Sequence, residues 1–209
     1  MHPTASRFVR TARFAVPAVA AITATVALAG PAFADPALVT RSGSSILYTA
    51  QPGETNTVTF SNAGGFFQVE DSTSNLIPGP GCVRFNNDPH IVRCGALATV
   101  TRIQASLGDR NDTATNNTAI ASDIVGGEGD DKLFGGSGPD RLLDSDGWNA
   151  APGSNTFEGR GGNDTIISRN GGFDRIDCGE SAADFDVLLA DSAGLDTVVP
   201  NTCEFVQRS

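Results

Sequence analysis

The sequence has little of what common catalytic centres and zinc sites require. It contains two histidines in 209 residues, and His90 is the only one outside the first 34 residues. No CxxC, HExxH or GxSxG motif occurs, so the zinc sites and hydrolase nucleophiles that these patterns indicate are not predicted. A Ser-His-Asp centre would have to use His90, which we expect to be a surface residue. The sequence therefore shows no catalytic constellation, and we expect a non-enzymatic protein, with a lyase or hydrolase site on a solenoid face as the alternative.

Basic side chains are also scarce, with 14 Lys and Arg against 24 Asp and Glu. Three of the arginines precede an apolar run that ends in the sequence AFA at residues 32–34, the pattern of a secretory signal peptide. Loss of residues 1–34 leaves 11 basic and 24 acidic side chains, a net charge of −13. Such a chain lacks the basic patch that nucleic acid or an anionic membrane surface requires. We expect a secreted monomer without membrane insertion, with a cation as its natural partner.

The four cysteines fall into two local pairs. In an oxidising exterior, we expect them to form the disulfides Cys82–Cys94 and Cys178–Cys203. The two other connectivities would tie the middle of the chain to its end. A zinc site is the alternative use of these cysteines, and it would have His90 as its only histidine.

A nonapeptide repeat, Gly-Gly-x-Gly-x-Asp-x-apolar-x, dominates the second half of the chain. Residues 126–134 (GGEGDDKLF) and 135–143 (GGSGPDRLL) match it at every defined position. Residues 150–158 (AAPGSNTFE) have Asn155 in place of the aspartate, and residues 159–167 (GRGGNDTII) restore the aspartate as Asp164. The six extra residues 144–149 are predicted to form a loop. Looser copies follow around Asp174, Asp186 and Asp196, and a degenerate copy around Asp112 precedes them.

Each unit reads as a six-residue turn followed by a three-residue strand with one central apolar side chain. A single such strand buries almost nothing, so the units must stack into a parallel β-solenoid. Stacking brings the aspartates at position six into rows with a spacing of about 5 Å. Neighbouring carboxylates raise each other's pKa and loosen a fold unless a cation neutralises them. Ca²⁺ suits this role because it accepts carboxylate and backbone carbonyl oxygens in flexible geometry.

The complete nonapeptides and the GRGGNDTII unit resemble the RTX, or hemolysin-type, calcium-binding repeats. The resemblance implies a right-handed parallel β-roll whose successive units alternate between two edges, with each Ca²⁺ between turns two units apart. It implies carboxylate and carbonyl ligands at these positions: Asp131, Asp140 and Asp164, the degenerate positions Asp112, Asn155 and Asp174, and the glycines Gly127, Gly129, Gly136, Gly138 and Gly162. The stretch from Asp174 to Val206 also resembles the closing segment of secreted actinobacterial proteins with these repeats, where a pair of cysteines caps the solenoid.

Residues 35–125 lack the glycine repeat but are rich in β-branched and aromatic residues, with turn signals such as Pro52–Gly53. We expect irregular early turns of the same solenoid or a cap on it, with a separate small β-domain as the alternative. Residues 126–209 are expected to form the repeat solenoid with its disulfide-closed cap. The predicted fold class is therefore all-β.

The expected function is that of a secreted, non-enzymatic calcium-binding β-solenoid whose fold is stabilised by Ca²⁺. One alternative is an extracellular adhesin or interaction module that binds glycans or proteins in a calcium-dependent way. A second alternative is that the turns are free of metal and their aspartates accept hydrogen bonds from backbone amides, as aspartate often does in turns.

Overall fold

A computed structural model describes residues 36–145, 152–179 and 183–209. The predicted signal peptide and most of the predicted loop at 144–149 lie outside these residues. Within them the chain is all-β, and its one helical element is a 3₁₀ turn at Leu97–Thr99. The all-β prediction is confirmed.

The described residues contain eighteen strands. In chain order they are β1 (Ala37–Ser42), β2 (Ser45–Thr49), β3 (Thr57–Ala63), β4 (Phe66–Asp71), β5 (Leu76–Pro78), β6 (Val83–Arg84), β7 (Ile91–Ala96), β8 (Arg102–Asp109), β9 (Thr113–Asn116), β10 (Ala121–Glu128), β11 (Lys132–Phe134), β12 (Asp140–Leu143), β13 (Thr156–Glu158), β14 (Thr165–Ile167), β15 (Arg175–Asp177), β16 (Val187–Ala190), β17 (Thr197–Val198) and β18 (Phe205–Arg208).

From β8 onward, successive strands alternate between two nine-stranded sheets. The first sheet has the order β18-β16-β14-β12-β10-β8-β2-β1-β5, and the second has the order β17-β15-β13-β11-β9-β3-β4-β7-β6. Every pairing among β8 to β18 is parallel. This coiling of short parallel strands is a β-solenoid, as the nonapeptide spacing predicts.

The core between the two sheets is a stack of single apolar side chains. In the first sheet, Leu142 lies in register between Ile124 and Ile166. In the second sheet, Phe157 lies in register between Leu133 and Ile176. All six side chains are fully buried. Each repeat strand therefore supplies one rung of the core, because its two neighbouring side chains point outward.

The N-terminal strands combine solenoid pairing with antiparallel hairpins. Strands β2 and β3 pair in parallel with β8 and β9, and so continue both sheets. Strands β1 and β2, β3 and β4, and β4 and β7 pair antiparallel. Their inward side chains, among them Val39, Phe67 and Leu76, are fully buried and cover this end of the core. Strand β10 runs through position 125, and the division of the chain at that position stays a prediction.

Both expected cysteine pairs are disulfides in the structure. Cys82–Cys94 joins the start of β6 to β7 among the N-terminal hairpins. Cys178–Cys203 joins the residue after β15 to the segment before β18. Each bond closes a short loop beside the stacked core, one towards either end of the solenoid.

Replacement of one core rung tests this stacking. We expect Leu142→Ala to lower the free energy of unfolding by about 2–5 kcal/mol, because a cavity would remain between two neighbouring rungs. Urea unfolding followed by circular dichroism in calcium buffer measures the change. Leu38→Ala is the matched control, since Leu38 is 36% exposed and should lose less. Equal losses for the two variants would contradict the stacked core.

Candidate metal centre

The position-six side chains form two buried rows, one along each edge of the solenoid. We call the edge where the chain passes from the first sheet to the second the first edge, and the opposite one the second edge. The first-edge row contains Asn56, Asp112, Asp131, Asn155, Asp174 and Asp196. The second-edge row contains Asp140, Asp164 and Asp186. Each of these side chains is at most 4% exposed.

In every member of the rows except Asn56, one side-chain oxygen accepts a hydrogen bond from a backbone N–H of the neighbouring coil. Asp131 Oδ1 accepts a hydrogen bond from the backbone N–H of Asp112 at 2.8 Å, and Asn155 Oδ1 accepts one from Asp131 at 2.7 Å. On the second edge, Asp164 Oδ1 accepts from the N–H of Asp140, again at 2.8 Å. Amide capping is therefore one part of what these side chains do, as the metal-free alternative predicts.

The second oxygen of several of these carboxylates has no such role. Oδ2 of Asp112, of Asp164 and of Asp174 is buried and accepts no hydrogen bond from any described residue. A buried carboxylate oxygen without a partner costs free energy, and polar atoms of this kind are rare in folded proteins. A hard cation would satisfy these oxygens, so the residues present fit a calcium ion.

Burial shifts the titration of the same carboxylates. It raises the pKa of Asp112 and of Asp164 to about 8, and the pKa of Asp174 to about 7. Neighbouring carboxylates, such as Asp131 beside Asp112, raise the pKa further, while backbone hydrogen bonds lower it. Burial also raises the pKa of Asp140 and of Asp186. Without a cation, several position-six groups would therefore keep a proton near neutral pH.

The first glycine of the motif makes room for the carboxylate. A Cβ atom at Gly135 would lie 2.7 Å from Asp140 Oδ2, and one at Gly159 would lie 2.5 Å from Asp164 Oδ2. A Cβ atom at Gly126 would collide in the same way with Asp131 Oδ2. Only glycine leaves this space open, which explains in physical terms why the motif starts with it.

The other turn glycines allow backbone to approach backbone. A Cβ atom at Gly129 would collide with the carbonyl oxygen of Arg110 in the preceding coil, and one at Gly153 with that of Gly129. On the second edge, Gly162 stands in the same relation to the carbonyl of Gly138. The turns therefore stack with bare main-chain carbonyls, and these are the oxygens that the resemblance implies as ligands.

The predicted ligands divide between the two edges. The first edge has Asp112, Gly127, Gly129, Asp131, Asn155 and Asp174, and the second has Gly136, Gly138, Asp140, Gly162 and Asp164. Asp131 and Asp140 are therefore on opposite edges, in line with their nine-residue spacing. Their role as ligands stays a prediction. In the described residues, no three His, Cys, Asp or Glu side chains converge on one point, so an ion here would also need carbonyl ligands.

Sequence reasoning missed both ends of the rows. Glu204 Oε2 accepts from the N–H of Asp186 at 2.7 Å, and Asn56 donates its N–H to Asp112 Oδ1 at 2.7 Å. Ser122 closes the second-edge row by donating its N–H and Oγ–H to Asp140 Oδ1. A weak signal existed, because Glu204 and Asn56 each precede an apolar residue by two positions, as the motif's aspartate does.

Comparison with known proteins agrees with this geometry. Residues 123–142 and 149–172 match a family model described as the RTX calcium-binding nonapeptide repeat, in four copies. No curated protein and no solved structure matches the chain. In the part of the chain that the structure describes, no helix is long and apolar enough to span a membrane.

The raised pKa values predict an unusual pH dependence for the calcium-free protein. Asp112 and Asp164 titrate near pH 8 when folded and near pH 3.9 when unfolded, so between these values the folded state binds protons that the unfolded state has released. Their contribution to stability is therefore greatest below about pH 4 and falls as the pH rises to about 8.

We expect the calcium-free melting temperature to be higher at pH 5.5 than at pH 8. Differential scanning calorimetry of resin-treated protein at constant ionic strength measures it. Saturating calcium is the control, since the bound ion favours ionised carboxylates and should reduce or reverse the trend. A calcium-free melting temperature that rises from pH 5.5 to pH 8 would contradict the raised pKa values of Asp112 and Asp164.

Proposed function

We propose that this protein, which carries RTX calcium-binding nonapeptide repeats, is a secreted, non-enzymatic β-roll whose fold depends on Ca²⁺. The observation that carries the proposal is the set of buried, unpartnered Oδ2 atoms on Asp112, Asp164 and Asp174. They occur on both edges of the solenoid, in register with the glycine turns. Bound Ca²⁺ supplies the positive charge that these carboxylates lack in the protein itself.

The chain's own residues would hold the ion with little rearrangement. The Oδ1 hydrogen bond to the neighbouring coil fixes each carboxylate, as between Asp164 and Asp140. At Asp164 the Oδ2 atom is then left for the metal. A Cβ atom at Gly159 would collide both with that oxygen and with the carbonyl oxygen of Cys178, so a main-chain oxygen lies on the same side of the carboxylate. Carboxylate and carbonyl oxygens are the ligands that Ca²⁺ prefers. The site is therefore organised by the stacking of coils.

Calcium would favour the folded state by mass action. A ligand that binds only the folded state adds RT ln(1 + [L]/Kd), which is about 2.7 kcal/mol at 100 times Kd. Extracellular calcium modules have Kd values of about 10⁻⁴–10⁻³ M, so weak sites suffice where calcium is millimolar. The unfolded chain lacks stacked rows, so folding would be coupled to the presence of calcium.

The expected extracellular location fits this coupling. The two disulfides are typical of proteins that mature in oxidising compartments. The signal-like sequence at residues 1–34 and the acidic composition support the same location. Such a chain would fold fully only after it reaches an environment rich in calcium.

The surroundings of His90 support a non-enzymatic role. Its Nδ1 atom lies 2.8 Å from the carbonyl oxygen of Asp71 and 3.0 Å from that of Ser74. Nδ1 is thus engaged with main-chain oxygens, where a catalytic triad would have a carboxylate. His90 therefore contributes to the structure of the N-terminal hairpins.

Removal of calcium tests the proposal directly. We expect a chelator to lower the melting temperature and to weaken the β signal in circular dichroism, since the rows then lose the binding energy of the ion and must take up protons or bury uncompensated charge. Calcium added back should restore both, whereas magnesium should do so poorly because it demands octahedral geometry. A melting curve that is the same with and without calcium would overturn the proposal.

A paired substitution locates the ions. We expect Asp112→Asn with Asp164→Asn to lower the number of calcium ions per chain, because each amide keeps the Oδ1 acceptor but replaces an unpartnered Oδ2 and its charge. Native mass spectrometry and titration calorimetry count the ions. Glu70→Ala is the control, since it removes an exposed carboxylate of β4 far along the chain from the repeats. An unchanged count in the double variant would place the ions elsewhere.

A further inference from the structure

The coil formed by β12 and β13 departs from the other repeat coils at the first edge. Strand β12 pairs with β10 so that Leu143 is opposite Val125, which puts Asp144 at the position held by Gly126 in the preceding coil. In the same coil, Asn155 replaces the position-six aspartate. This coil therefore still has one acidic side chain at the first edge, but the acid is at the first position of the nonapeptide pattern and not at the sixth.

The two exchanged side chains bind each other. Asn155 Nδ2 donates a hydrogen bond to Asp144 Oδ2 at 2.8 Å. Asn170 Nδ2 donates to the same oxygen from the next coil. Asp144 is 7% exposed and Asn155 is 2% exposed, so these contacts are shielded from water. One oxygen of the Asp144 carboxylate thus accepts hydrogen bonds from two amide groups of the chain itself.

The backbone acceptor at this coil is also in use. Asn170 Nδ2 lies 3.2 Å from the carbonyl oxygen of Gly153, the glycine that aligns with Gly129 of the preceding coil. A hydrogen-bond donor therefore points at the type of oxygen that would otherwise be a metal ligand. The row itself is not broken, because Asn155 Oδ1 still accepts from the N–H of Asp131 at 2.7 Å.

We propose that the Asn155 coil is a metal-free rung in the first-edge row, closed by amide–carboxylate hydrogen bonds in place of Ca²⁺. This inference rests on the proposed function for the remaining rungs. An amide N–H directs positive charge towards the space into which the equivalent aspartates direct an oxygen, so it repels a cation there. The first-edge row is then divided into one calcium-binding section before Asn155 and another after it.

A single substitution should convert the rung into a site. Asn155→Asp keeps the Oδ1 acceptor but replaces the donor with a second oxygen, next to the Asp144 carboxylate. We expect this variant to bind one more calcium ion per chain than the natural protein, counted by native mass spectrometry. We also expect a lower melting temperature without calcium, because two buried carboxylates then face each other.

Two further variants keep the experiment decisive even where Asn155→Asp fails to fold. Asp144→Asn keeps an oxygen for both amide donors, and we expect its calcium count to equal that of the natural protein. Asp164→Asn, the converse change on the second edge, should lose an ion. An unchanged count for folded Asn155→Asp, or a loss of one ion from Asp144→Asn, would overturn the metal-free rung. If the natural protein itself binds no calcium, the proposed function fails instead.

Discussion

The hydrogen bond between a position-six side chain and the backbone N–H of the coil before it is the contact on which the whole solenoid depends. It recurs from Asn56 to Asp196 on the first edge and from Ser122 to Glu204 on the second. Each bond fixes the register of one coil on the next at the point where the chain turns. The stacking of the apolar side chains and the close backbone contacts of the turn glycines both require this register.

This contact explains which residues the rows accept. Its requirement is a side-chain oxygen that can reach the backbone N–H of the coil before it, so Asp, Asn and Glu all satisfy it, as Asp131, Asn155 and Glu204 show. The second heteroatom of the side chain is what varies. An oxygen there creates a demand for positive charge, whereas an amide nitrogen meets an acid of the same chain. One atom of the side chain therefore fixes the register, and the other would decide whether the position can hold a cation.

The sequence revealed the solenoid and the two-edge arrangement because both follow from a short period. Leu133 and Leu142 are nine residues apart, and the structure puts them in opposite sheets. The N-terminal hairpins could not be predicted in this way, because β-branched residues favour a strand but do not say whether it pairs parallel or antiparallel. The exchange between Asp144 and Asn155 was equally hidden, since the nonapeptide pattern includes no acid at the position of Gly126, and only the pairing of β12 with β10 puts Asp144 there.

The register also explains why the buried carboxylates of the second edge are concentrated in one part of the molecule. On the second edge, the column that contains Asp186, Asp164 and Asp140 continues through Ser122 to Ile103 and Ile46. The same structural position therefore changes from a carboxylate to a fully buried apolar side chain along the axis. In the N-terminal coils the core also contains large rings such as Tyr48 and Phe60, which bury far more area than one leucine per strand. The N-terminal strands β2 and β3 therefore bury two apolar side chains each, whereas each repeat strand buries one beside a row of buried carboxylates.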